Sequence, residues 1–235
     1  MEITLLGQAG VHIIMDSGKR IVIDPYLTDT LYELKGTRFT RLVPVNPGWK
    51  EKVPDVIAIT HEHADHMDMP LLRQWLGGEK TLQILATLSV YKELSGLWPA
   101  KHNIMVMSPD VEATIDDVRF RAVPAFHEMP DAVGYLIEAE EKKVYITGDT
   151  LYSSKIIGSL SGYNIDLMMP CINGFGNNMN YVDAARLVNN IRPSMVIPVH
   201  WDMFADFGAD PGLFACKVIP DIEVRILRAY SSISL

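Results

Sequence analysis

Cysteine is scarce in this chain: Cys171 and Cys216 are the two among 235 residues. Two cysteines in a chain of this length make no disulfide framework, which points to a reducing compartment. No run of about 20 apolar residues occurs, so no membrane-spanning helix is expected. The start, Met1-Glu2-Ile3-Thr4, has no basic stretch followed by an apolar core, so no secretory signal is expected and the sequence reads as cytoplasmic. Basic residues are outnumbered, 21 Lys+Arg against 29 Asp+Glu, for a net charge of −8. That balance argues against a long nucleic-acid partner. It leaves a phosphate-bearing small molecule open, because a metal centre supplies positive charge locally. No Gly-x-Ser-x-Gly elbow is present, so no serine nucleophile of that type is expected. No glycine/serine linker or break in composition divides the chain, and one α/β domain over residues 1–235 is expected. What remains is ordinary for a globular protein, 48% apolar and 21% charged. A chain of this size buries roughly 70% of its unfolded surface and needs no staples.

Apolar, β-branched runs predict strands at 3–6, 11–15 and 20–24, the last two joined by the turn Asp16-Ser17-Gly18-Lys19. Residues 30–52 lack periodicity and carry Lys35, Arg38, Arg41, Pro44, Pro47 and Gly48, which reads as a long surface loop. Arg38 and Arg41 read there as a solvated face, with reach to a substrate phosphate as the sharper alternative. The run 56–60 is a near-continuous apolar strand of the kind buried on both faces. A helix over 70–76 stops at Gly77-Gly78. Strands follow at 83–86, 103–107, 111–115, 118–123, 133–138 and 144–147, with a helix opening near Thr87. The last third predicts a strand at 165–169 and a helix over 180–190, capped by Asn180 with Asp183 reaching back. A strand at 195–199, a helical stretch at 212–217 and a strand at 222–227 close it. Runs 56–60 and 144–147 both end in ligand-type residues, an echo of duplicated halves.

The chemistry concentrates in the histidines. There are seven, His12, His61, His63, His66, His102, His127 and His200. Three lie within His61-Glu62-His63-Ala64-Asp65-His66, directly after the apolar run 56–60. In extended chain His61 and His63 share a face. A turn there swings Asp65 and His66 to a second centre. Imidazole and carboxylate together suit Zn²⁺, Mn²⁺ or Fe. The bland alternative, a solvated polar turn, leaves unpaired polar groups at the end of a buried strand, which is costly. His12 and His102 have no such context and read as structural or exposed.

That cluster, its place after an apolar strand, and the earlier Ile23-Asp24-Pro25 resemble the metallo-β-lactamase superfamily, over nearly the whole chain. The resemblance implies a four-layer αββα sandwich and a two-metal site. His61, His63 and His127 would hold one ion, Asp65, His66 and His200 the other, and Asp149 would bridge them. His127 follows the run 120–126, Asp149 lies in Thr147-Gly148-Asp149-Thr150, and His200 ends Ile197-Pro198-Val199-His200. Met169-Pro170-Cys171-Ile172-Asn173-Gly174, Gly176-Asn177-Asn178-Met179-Asn180 and Pro198-Val199-His200-Trp201-Asp202-Met203-Phe204 look like the L-ascorbate-6-phosphate lactonase group, described as manganese-dependent, cytoplasmic and oligomeric. The implied function is a hydrolase using two divalent ions, Mn or Zn, and a hydroxide held between them to attack a small lactone or ester, phosphorylated or not. Asp65 and Asp149 would be its catalytic carboxylates. A phosphodiesterase or nuclease shares this chemistry. A diiron redox protein of the superfamily is argued against by His63, where such members carry Glu.

Among the neighbours of these residues, Glu62, Thr60 and Thr150 read as supports of the ligands, Asp68 as a helix cap, and Cys171 as a packed thiol. Asn173, Asn177, Tyr152 and Trp201 are candidate substrate contacts, against the alternative of an Asn/Gly loop chosen for its backbone angles. A small molecule is the expected partner, with no membrane and with homo-oligomers allowed.

Overall fold

The computed structural model describes residues 1–96 and 101–235. The chain forms two compact units, Met1–Val106 with Asp202–Asp206 and Arg228–Leu235, and Met107–Trp201 with Phe207–Leu227. The α/β class expected from the sequence holds in each: one seven-stranded sheet packed with helices.

In the first unit the strands are β1 (Glu2–Gly7), β2 (Gly10–Ile14), β3 (Arg20–Ile23), β4 (Val56–Ile59), β5 (Gln83–Ala86) and β6 (Asn103–Val106), with the C-terminal strand Ser232–Ser234 added to the β1 edge. β1 to β3 pair antiparallel and β3 to β6 parallel. β4 is Val-Ile-Ala-Ile with every residue buried, as a parallel strand covered on both faces requires. The helices are α1 (Thr30–Lys35), α2 (Pro47–Lys50), α3 (Met69–Gly77) and α4 (Leu88–Ser95). α3 buries Leu71, Leu72, Trp75 and Leu76 on one stripe, against Ile57, Ile59 and Ile84. Each such side chain contributes about 1.5–3 kcal/mol on burial.

The segment 30–52 departs from the loop reading. It holds α1, a 3₁₀ turn at Thr37–Phe39 and α2, the last capped where Asn46 Oδ1 accepts from Gly48 N at 3.1 Å. Helices of one turn are too short to show periodicity, so the sequence hides them. Trp49 of α2 stacks on Tyr230, ring centroids 6.2 Å apart, which ties the segment to the C-terminal chain.

In the second unit the strands are β7 (Glu112–Ile115), β8 (Val118–Pro124), β9 (Val133–Ala139), β10 (Lys142–Ile146), β11 (Leu167–Met169), β12 (Met195–Val196) and β13 (Glu223–Val224), in that spatial order. β7 to β10 are antiparallel and β10 to β13 parallel. Both sheets thus run antiparallel first and parallel after, and this topology repeats what the sequence showed only as an echo. α5 (Ser154–Ser159), α6 (Tyr181–Ile191) and α7 (Pro211–Ala215) complete the unit. Asn180 caps α6, its Oδ1 accepting from Val182 N and Asp183 N. Ala184, Ala185, Leu187 and Val188 of α6 pack in one cluster with Leu136, Tyr145 and Met168 of the sheet. α5 and the C-terminal strand escape sequence reading because Ser-Lys-Ile-Ile-Gly-Ser and Ser-Ile-Ser offer too few apolar positions to set a period.

His102 is the structural histidine expected: Nδ1 accepts from Leu82 N at 3.1 Å and Nε2 donates to Leu76 O at 2.9 Å. His12 is buried on β2, edge-on to Trp49 with centroids 5.1 Å apart, and neither ring nitrogen has a hydrogen-bond partner. Burial, then the charges of Lys52 and Arg20, lower its pKa to about 4. Below the ordinary value near 6.5 the unfolded chain takes up a proton that the folded chain refuses. Stability is therefore fully present at neutral pH and is lost as pH falls from 6.5 toward 4, by about 2 kcal/mol at pH 5. His12→Leu should flatten that part of the profile. Urea unfolding at pH 7.5 and pH 5 measures it, and equal pH losses in wild type and variant would refute the account.

Candidate metal centre

In both units the metal-ligand-type side chains stand where strands end, the edge at which open α/β sheets bind ligands. In the first unit β4 runs into Thr60, and the chain then turns through His61 to Asp68 before α3 starts. Asp24, just past β3, lies alongside. It is fully buried and holds a positive φ of 45°, strained for a residue with a Cβ. Its Oδ1 accepts from Thr60 N at 2.8 Å, and its Oδ2 accepts from Thr60 Oγ1 at 2.6 Å and His66 Nδ1 at 2.7 Å.

These bonds fix protons. A hydroxyl has one hydrogen, and Thr60 gives it to the carboxylate. At 3.0 Å from His61 Nδ1, Thr60 Oγ1 must then accept. His61 and His66 are therefore both protonated on Nδ1, with Nε2 as the acceptor-side nitrogen. His61 Nε2 and His63 Nδ1 approach to 3.0 Å, and the rings of His61 and His66 have centroids 4.1 Å apart. Gln8, in the turn between β1 and β2 with φ 53°, donates Nε2–H to Asp65 Oδ2 at 2.7 Å. Asp65 Oδ2 in turn lies 3.9 Å from His66 Nε2. Four ligand-type residues are thus gathered in one turn and held by hydrogen-bonding partners.

Asp68 is the helix cap expected, accepting from Leu71 N at 3.3 Å. It does more: Oδ2 takes Leu27 N and Thr28 N, both at 2.8 Å, and Oδ1 takes Thr28 Oγ1 at 2.7 Å. Burial raises its pKa in spite of these bonds. The carboxylate pins the chain beyond β3 to the start of α3.

The second unit brings together His127, Asp149 and His200. Phe126 N donates to Thr150 Oγ1 at 2.9 Å and Leu151 N to Phe126 O at 2.9 Å, a strap that sets His127 beside Asp149. Thr150 Oγ1 accepts here and donates to Leu151 O at 2.9 Å, so it braces the main chain beside Asp149. His127 Nδ1 lies 3.3 Å from the Asn177 carbonyl, so Nδ1 carries the proton and Nε2 faces Asp149. Asp149 follows Gly148 (φ 58°) at the end of β10. One of its oxygens is 4.0 Å from His127 Nε2 and the other 3.5 Å from His200 Nε2. His200 itself holds φ 62°.

Asn177 contributes its carbonyl to His127, and Asn178 Nδ2 donates to Asn173 Oδ1 at 3.1 Å, bracing the loop. Tyr152 carries the Arg186 guanidinium 4.1 Å over its ring, and Trp201 Nε1 donates to Pro198 O at 3.0 Å. Cys171 is the packed thiol expected, pushed up to about 12 by burial. The solvated-face reading holds for Arg38, which is exposed and bonded to Asp206 at 2.9 Å, and fails for Arg41, whose side chain is 3% exposed.

Sequence reasoning missed Asp24 and Gln8 as supports of the ligands. The signal for Asp24 was a charged residue ending an apolar strand. For Gln8 it was a polar residue inside Gly7-Gln8-Ala9-Gly10.

The family described as the beta-lactamase superfamily domain matches residues 19–201. A metal-dependent hydrolase of Thermococcus onnurineus is 30% identical, over 97% of this chain and 96% of its own. One from Enterococcus faecalis is 26% identical over 93% of this chain and 94% of its own. Among solved structures, a metallo hydrolase of Ignicoccus hospitalis superposes with TM-score 0.79 at 22% identity, covering 99% of this chain and 97% of that one. An isothiocyanate hydrolase from Delia radicum gut bacteria superposes with TM-score 0.78 at 16% identity, covering 100% and 99%. At these identities the two structures share the fold.

Proposed function

The chain belongs to the beta-lactamase superfamily, and on that premise we propose that it is a metal-dependent hydrolase of a small ester or lactone. His61, His63 and His127 would hold one divalent cation, Asp65, His66 and His200 a second, and Asp149 would be shared between them. The observation that carries this reading is the protonation pattern. Three imidazoles, His61, His66 and His127, each have Nδ1–H tied to Thr60, Asp24 or the Asn177 carbonyl, which turns Nε2 toward the neighbouring ligand-type side chains His63, Asp65 and Asp149. Such second partners orient histidine ligands and raise their basicity. The all N/O donor set suits Mn²⁺ or Zn²⁺.

Bound there, the pair of cations supplies Lewis acidity and lowers the pKa of water toward about 7. The protein's own part is positioning. Asp24 holds His66 directly and His61 through the Thr60 hydroxyl, Gln8 holds Asp65, and Asp149 spreads its two oxygens between two histidines. Asn173, Asn177, Tyr152 and Trp201 are the side chains we assign to the substrate. The similarity of 169–174 and 198–204 to the lactonase group supports an ester or lactone, and a net charge of −8 disfavours long polyanions.

Elemental analysis of the purified chain should give about two Mn or Zn per chain and far less in Asp149→Ala. Lactones, phosphodiesters and RNA, assayed with added Mn²⁺, should rank lactones first. Phosphodiester cleavage without lactone opening would replace the proposed substrate class, and a metal content near zero would remove the reading altogether.

A further inference from the structure

The loops around the second unit's ligand-type residues share a feature that the metal centre does not use. Beside each of His127, Asp149 and His200 stands an apolar side chain left wholly or partly in water. Leu151, two residues past Asp149, is 43% exposed. Phe175 is 46% exposed and lies two residues before Asn177, whose carbonyl tethers His127. Gly174 and Gly176 flank it at φ 74° and 61°, and Asn178 N donates to its carbonyl at 3.2 Å, so the turn holds the ring out from the core. Phe207, half-buried, meets Phe175 edge-on with ring centroids 5.6 Å apart. It precedes Ala209 by two residues, and Ala209 N donates to Trp201 O at 3.1 Å, next to His200. Met179 N donates to Thr150 O at 2.8 Å, which lays the Phe175 loop along the Leu151 segment. Single apolar side chains scattered over a surface are ordinary; three gathered at the ligand-bearing end of one sheet mark a binding face. Charge is missing there as well. No Lys, Arg, Asp or Glu occurs in 150–152, 173–179 or 207–209, and the exposed residue that follows His127 is Glu128, which repels an anion.

We propose that Leu151, Phe175 and Phe207 form an apolar lip for the substrate, an uncharged ester or lactone that carries an alkyl chain or ring. The lip takes the chain while the carbonyl reaches the ligand-type residues. Docking there removes apolar surface of both partners from water. A charged substituent in the same place would lose hydration with nothing on the three loops to offset it. The substrate class of the proposed function narrows accordingly, from esters and lactones in general to those with an apolar substituent, and phosphorylated ones fall away. That the bound molecule is hydrolysed rests on the hydrolase reading; that the lip binds an apolar chain does not.

The test assays the full chain with added Mn²⁺ on γ-lactones bearing methyl, propyl and pentyl chains, and on one whose chain ends in a carboxylate. In parallel, cyclopentanones with the same alkyl chains, which have no ester bond to break, are titrated by calorimetry. For wild type, kcat/KM on the lactones and affinity for the ketones should each rise about two- to fourfold per added methylene. The carboxylate-ended chain should gain nothing over methyl. Phe175→Ser and Leu151→Ser should each flatten both series. Both residues are exposed, so melting temperature and metal content, measured on the same samples, should hold. Ketone affinity that does not grow with chain length in wild type, or that grows equally in both variants, overturns the proposal, and so does a preference for the carboxylate-ended lactone. Chain-dependent ketone binding that falls in Phe175→Ser, with no lactone opened, would sink the hydrolase reading and leave the lip standing.

Discussion

Asp24→Asn should strip the first unit of its metal-binding capacity while the chain still folds. In the wild type both carboxylate oxygens accept, three bonds in all. Asparagine turns one acceptor into a donor. If the amide nitrogen takes the Oδ2 place, His66 must present Nδ1 as an acceptor and move its proton to Nε2. The Thr60 hydroxyl must then accept from the amide and donate to His61 Nδ1, which moves that proton to Nε2 as well. Both imidazoles then lose the Nε2 lone pair that the proposed function assigns to a metal ion. If the nitrogen takes the Oδ1 place instead, it faces Thr60 N–H, and a buried donor is orphaned at about 1–3 kcal/mol. The first outcome preserves the backbone and is expected to dominate. Loss of one such supporting partner typically weakens metal affinity 10–100-fold. Here two ligands fail together, so elemental analysis should find less than half the wild-type metal. Thr60→Val disturbs only the His61 link and should lose less. Wild-type metal content in Asp24→Asn would show that the protonation pattern does not govern binding.

The contrast between Asp24 and its neighbours explains what the sequence could and could not reveal. His61, His63, Asp65 and His66 were legible because they are adjacent and follow a four-residue, fully buried strand. His127, Asp149 and His200 were legible only as strand-end residues, and the second unit gathers all three around Asp149. The supports were not legible, since their action is long-range. Asp24 meets His66 across 42 positions and Gln8 meets Asp65 across 57. The tether of His127 is the main-chain carbonyl of Asn177, which no side-chain pattern announces. The fold shows the same division. Most strands long enough to alternate or to run apolar were found within about two residues, while the one expected at 222–227 shrinks to Glu223–Val224. Met195–Val196 is shorter than its apolar run because Pro198 lacks an N–H, although Ile197 and Val199 still bond Met168 O and Pro170 O. Arg41 was misread because charge on a loop usually means solvent, and only three-dimensional contact shows a guanidinium turned inward.

Gly134→Ala should cost as much as any single change distant from the ligands. β9 crosses the end of β10 at this residue, and a Cβ here would stand 2.8 Å from the carbonyl oxygens of both Ile146 and Thr147. The obstacles are main-chain atoms inside a sheet, so no rotamer change relieves the contact. Overpacking of this kind typically costs 1–3 kcal/mol. The shift must pass into the segment Thr147-Gly148-Asp149, and Thr147 Oγ1 also accepts from Cys171 N at 3.1 Å. Asp149 therefore moves relative to His127 and His200. A misplacement near 1 Å in a reacting constellation costs about a hundredfold in rate. The expected result is a lowered melting temperature together with reduced metal content. Gly158→Ala is the control, for Gly158 lies in α5 with nothing within 4 Å of a built Cβ, and alanine there should stabilise by about 0.5–1 kcal/mol. If Gly134→Ala loses stability but keeps full metal content, the sheet absorbs the strain before it reaches Asp149, and the rigidity assigned to the β9–β10 crossing as the means of placing that carboxylate is wrong.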